Sequence, residues 1–147
     1  MGLGRVAFPA FIQVAGVFLA AFAVRVGFVL QYRDSPVFFN PVIDSATYDE
    51  VARALAFEGT ISARLFWHEI LYPLFLAAAY RLGDGSIFIA RILQSALGGL
   101  TAVLAYLVAK RIFDGRAALA AGLITALCGP LVFYETSILT TGLAAAL

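Results

Sequence analysis

Charge is what this sequence has least of. Only 13% of its 147 residues are Asp, Glu, Lys or Arg, while 63% are hydrophobic. Soluble domains carry about 25% charged and about 45–50% apolar residues, so a water-soluble domain is excluded and a membrane-embedded chain is expected. The formal net charge of +1 leaves no basic patch, which argues against a nucleic-acid partner. A single cysteine, Cys128, excludes an intrachain disulfide; its place inside an apolar run points to packing. The single histidine is His68, in WHEILY, and the position where a zinc HExxH motif needs its second histidine is Tyr72, so a zinc metalloprotease is excluded. CxxC, a glycine-rich phosphate loop and Gly-x-Ser-x-Gly are also missing.

Long apolar runs fill the space. Residues 6–30 have the length of a crossing helix, with Arg25 near the far end, where its stem can carry the charge to the interface. AFA at 21–23 looks like a signal-peptidase site. The run is longer than an h-region of ~7–15 residues and continues past that point, which favours an uncleaved anchor. Residues 86–109 make a second span, with Gly98 and Gly99 placed for close helix packing. Residues 117–134 make a third, ending near Pro130, and a fourth begins at about Ile138. Residues 70–82 fall short of the ~17 needed to cross and fit an interfacial or re-entrant helix with Pro73 in its first turn. The sequence closes on TTGLAAAL in mid-run, so a longer protein is expected.

If 70–82 does not cross, Arg5 shares one side with Lys110, Arg111 and Arg116. By the positive-inside rule that side is the cytoplasm. Six of the nine carboxylates, all within residues 31–69, and Glu135 then lie on the opposite side.

That acidic stretch is where chemistry is expected. Two prolines make residues 31–43 an extended loop. A short helix follows from Asp44 to Gly59, with Tyr48, Val51, Ala52, Leu55 and Ala56 on one stripe, against the membrane or a neighbouring helix. Asp49 and Arg53 pair at i, i+4. Asp44 fits a helix N-cap, and it equally fits a divalent-cation ligand or a general base. Asp49 and Glu50 complement the helix dipole. Trp67 and Tyr72 suit an aromatic interface belt. His68 can contact an anionic group or shuttle a proton. Glu135, at the end of a span, is either hydrated by its loop or functional. Arg81 and Arg91 flank the GDGS turn and suit lipid phosphates.

The succession VRVGFVLQYRDSP, NPVIDSATYDEVARALAFEG, FWHEILYPLFLAAAYRLGDGS and IARILQSALGGLTAVLAYLVAKRIFDGR resembles the start of a GT-C superfamily glycosyltransferase. In particular it resembles the dolichyl-phosphate-mannose protein mannosyltransferase-like group of the family 39 type. The resemblance implies an all-α, multi-pass membrane domain of which residues 1–147 are the N-terminal part, with an external loop at 31–85. It implies an enzyme of the bacterial plasma membrane. Such an enzyme transfers a sugar from a polyprenyl-phosphate-linked donor to a glycan, lipid or protein acceptor on the non-cytoplasmic face. Asp44 matches the family's first-loop aspartate, a catalytic base or metal-site member. The resemblance makes His68, Arg81, Arg91 and Tyr48 candidates for substrate or lipid-phosphate binding. It makes Asp44 and Glu135 candidates for holding a divalent cation, Mg or Mn. Two departures stand out. Position 70 is Ile where many relatives carry proline. LTTGL, with Thr140 and Thr141, replaces TDxL, leaving Glu135 as a substitute acid. A non-catalytic membrane module (a transporter or accessory subunit) and an inactive relative remain as other readings.

Overall fold

The computed structural model describes residues 9–60 and 70–146. Backbone groups in lipid must be satisfied within their own segment, and helices are how this chain does it. In order these are α1 (Ala10–Tyr32), α2 (Asp44–Arg53), a π-helical turn (Ala54–Glu58), α3 (Leu71–Leu82), α4 (Ile87–Ile112), α5 (Gly115–Leu127), α6 (Gly129–Thr136) and α7 (Thr141–Ala146). No strand occurs among the described residues. The membrane class expected from composition and the all-α fold implied by the resemblance are both observed.

Helices α1 and α4 are each long and apolar enough to cross a membrane, at about 35 and about 39 Å by 1.5 Å per residue. They run antiparallel. The Tyr106 hydroxyl donates to Gln13 Oε1 at one end. Phe18 packs against Gly99 midway. The Arg91 guanidinium sits over the Tyr32 ring at the other end. The chain therefore enters α4 at the same end at which it left α1, and the described parts of residues 33–86 are built there. Helix α3, twelve residues, is about 18 Å long against a hydrocarbon core of about 30 Å. A Cβ on Gly99 would stand 2.8 Å from the Phe18 ring, and one on Gly122 3.0 Å from Tyr106 and Val17. Backbones thus approach as closely as the Gly98-Gly99 pair suggested.

The third apolar run is not one straight span. Helices α5 and α6 meet at Cys128 with a 54° bend. Pro130 is the cause: it has no N–H for the Ala126 carbonyl four residues back, and its ring crowds that carbonyl. The orphaned Ala126 carbonyl instead accepts from Arg25 Nη1, at 3.2 Å. Helix α7 starts at Thr141 rather than Ile138, after a turn that buries Ile138.

At the end where α1 exits, α2 lays its predicted stripe on α3, a neighbouring helix. Tyr48, Ala52 and Ala56 pack with Tyr72, Leu76 and Tyr80. Tyr48 and Tyr72 meet edge to face at 5.1 Å. Tyr72, expected in an interfacial belt, is 1% exposed and belongs to this core. Gly59 ends the helical run with φ +66, as expected, because only glycine takes that conformation without strain. Asp49 pairs with Arg53 at 3.0 Å as its spacing predicted. It also accepts from the Tyr80 hydroxyl.

Candidate active site

Of residues 31–43, which the two prolines had suggested to be extended chain, the first two end α1 and residues 33–40 fold into turns and bends. Ser35 and Pro36 occupy the first two positions of a turn closed by Phe38 N–H on the Ser35 carbonyl at 3.0 Å. Serine and proline favour those positions. The turn drives Phe38 inward to 0% exposure. Its ring then meets Tyr32 at 5.9 Å and the Arg91 guanidinium at 4.5 Å.

The chain enters α2 through Ile43, whose φ of 57° and ψ of −127° are costly for a β-branched residue. That kink makes Asp44 the first residue of the helix rather than its cap. The expected cap bond is absent. Among the described residues the Asp44 carboxylate has no hydrogen-bond or ion-pair partner. It is exposed and stabilised by the positive end of α2.

Asp44 lies on the wall of a cavity of about 350 Å³. Ile43 and Ser45 flank it. Tyr32 and Arg91 come from α1 and α4. Phe133 of α6 and residues Ser137 to Leu139 close the far wall. Arg91 is only 4% exposed and rigidly held. Its Nη1 donates to the Thr136 carbonyl at 2.8 Å and its Nη2 to the Phe38 carbonyl at 3.2 Å. Among the described residues its Nε has no partner and no carboxylate pairs with it. A fixed cation without a counter-ion, facing a cavity, suits a phosphate oxygen. The structure therefore brings together Asp44 and Arg91.

The other candidates sit elsewhere. Glu135, thought hydrated or metal-binding, is fully buried. Its Oε2 accepts from Arg25 Nε at 2.7 Å and also from Nη2. Arg25, expected to snorkel, is also 0% exposed. It cannot reach the interface because Glu135 and the Ala126 carbonyl hold it inside. Gly98 makes the room: a Cβ there would stand 2.6 Å from Glu135 Oε2 and closer still to Arg25 Nε. The described residues do not fit a divalent-cation site. The Glu135 carboxylate is engaged by Arg25, and no group of three or more His, Cys, Asp or Glu converges among them. Arg81 donates to the Ala56 carbonyl at 2.8 Å and so caps the π-helical turn. Tyr48 is packed on Tyr72, off the cavity wall. His68, with Trp67 and Arg5, lies outside the described residues.

The sequence reading missed the Arg25–Glu135 pair and the carbonyl cradle of Arg91. The available signal was opposite charges set in apolar runs, together with a proline four residues after Ala126.

The fold is that of an all-α membrane protein, and its class, a membrane glycosyltransferase, comes from comparison with known families. The family model of dolichyl-phosphate-mannose-protein mannosyltransferases matches residues 68–146, more than half of the chain, and the chain belongs to that family. The matched segment holds Arg91 and Glu135; Asp44 precedes it. No curated protein and no solved structure matches the chain.

Proposed function

We propose that the cavity between Asp44 and Arg91 is a sugar-transfer site. The donor is a polyprenyl-phosphate-linked sugar, and the acceptor is a hydroxyl of a glycan, lipid or protein on the non-cytoplasmic face of a bacterial plasma membrane. Asp44 takes the proton of the attacking hydroxyl. The acceptor oxygen bonds to the anomeric carbon as that carbon's bond to the phosphate oxygen breaks. The bonding electrons leave on the phosphate, where Arg91 meets the developing charge. An arginine fixed by two carbonyls needs no reorganisation as that charge appears. No step is assigned to a metal.

The observation that carries this reading is a carboxylate and a guanidinium on the walls of one cavity, neither with a counter-charge among the described residues. The test is Asp44→Asn in the intact protein, assayed in membranes with labelled polyprenyl-phosphate sugars. Transfer should fall at least a hundredfold, with insertion and abundance unchanged. Wild-type turnover would reject the base.

A further inference from the structure

The geometry points to Arg25 and Glu135 as a positioning pair that sets the bend of the α5–α6 span and, through it, the place of Arg91. Three observations support this. Arg25 holds both sides of the break. It donates to the Ala126 carbonyl in the last turn of α5 and to the Glu135 carboxylate in the last turn of α6. The bond to Ala126 stands where Pro130 has removed a backbone donor, so the guanidinium completes the helix that the proline interrupts. Next along the chain, the Thr136 carbonyl accepts from Arg91 and the Ser137 carbonyl from Gln94 Nε2, each at 2.8 Å. Whatever fixes Glu135 therefore fixes the anchor of Arg91. The seat is shaped for the pair: Gly98 of α4 lies against both side chains, and Gly142 of α7 lies against the Glu135 backbone. Neither Arg25 nor Glu135 lines the cavity, so the pair acts through Arg91 and not on substrate. This consequence for catalysis rests on the reading of Arg91 given above, whereas the bend itself can be measured without it.

The intact protein, in a Cys128→Ala background, is spin-labelled at Ser137→Cys and Ile112→Cys. The labels report the tip of α6 relative to the far end of α4. With the pair present the distance distribution should be narrow. Arg25→Met alone leaves a buried carboxylate without a counter-charge and endangers folding, so the informative variant is Arg25→Met with Glu135→Met. That variant should broaden the distribution and, assayed without the labelling cysteines, raise the KM for the polyprenyl-phosphate sugar at least tenfold, with a smaller fall in kcat. Adding Pro130→Ala returns an N–H to the Ala126 carbonyl. The distribution should narrow again about a new centre, displaced by about 10 Å for an eight-residue helix relieved of a 54° bend. KM should stay high. An unchanged narrow distribution in the Met–Met variant would overturn the proposal, as would wild-type KM in the triple variant. Asp44→Asn should leave the distances untouched. Full activity in that variant would reject the catalytic reading alone.

Discussion

Gly98 shows how a single hydrogen atom in place of a methyl group can hold a membrane ion pair. Removing either charge would strand the other in an apolar interior, a loss of about 3–5 kcal/mol. A methyl group on Gly98 would push into both partners at once. Gly98→Ala should therefore lower the melting temperature of the detergent-solubilised protein by an amount corresponding to about 3 kcal/mol, while Gly16→Ala, with open space around it, should be near neutral. Differential scanning fluorimetry of the two variants checks this. The place of Asp44 at the head of α2 was legible in the sequence because an acid precedes a periodic apolar stripe. The Arg25–Glu135 contact was not, because nothing local ties positions 110 apart. Ile43 hid a different kind of information: its positive φ is imposed by the surrounding turns, against its own preference.

Helices α2 and α3 are joined by a small polar network on top of their apolar stripe. Asp49 accepts from both Arg53 and Tyr80, Arg53 donates onward to the Gly85 carbonyl at 3.1 Å, and its guanidinium covers the Tyr80 ring at 4.7 Å. Burial, and then the neighbouring Asp49 carboxylate, push the Tyr80 phenol well above its usual value. A phenol that holds its proton more tightly when folded contributes stability that is complete below the ordinary tyrosine value of about 10 and is lost as pH rises beyond it. Thermal stability should fall between pH 9 and 11, by about a normal hydrogen bond's worth of 0.5–1.5 kcal/mol or more. In Tyr80→Phe that part of the slope should be missing and the plateau lower; melting curves across the range measure both. At this scale the stripe of α2 and the glycine that ends it were readable from periodicity and backbone preference. Pro130 marked the end of a span, but not that the chain bends there and continues as α6. A lost hydrogen bond in one helix is answered by a side chain from another, and a one-dimensional pattern does not carry that.

For the whole molecule, the antiparallel pairing of α1 with α4 gathers α2, α3, the cavity and the exit of α6 at one end, and Lys110, Arg111 and Arg116 at the other. The clustering of Lys110, Arg111 and Arg116 away from the acidic stretch was readable in the sequence as a charge asymmetry. In a Cys128→Ala background, single cysteines at Asp34 and Arg116, both exposed, should react with a membrane-impermeant maleimide from opposite faces, Asp34 from outside. Labelling of both from one face would refute the arrangement. The same ion pair also bears on how such a molecule is made. Arg25 leaves the ribosome first, and Glu135 follows 110 residues later, about 5–20 s at ordinary synthesis rates. Until then the first helix carries a charge that would cost about 2.5–3.5 kcal/mol at the bilayer centre and that its own stem can carry to the interface. Only when Glu135 and the Ala126 carbonyl arrive is the guanidinium drawn inside, so a late segment of the nascent chain sets the final resting place of a side chain in the earliest one.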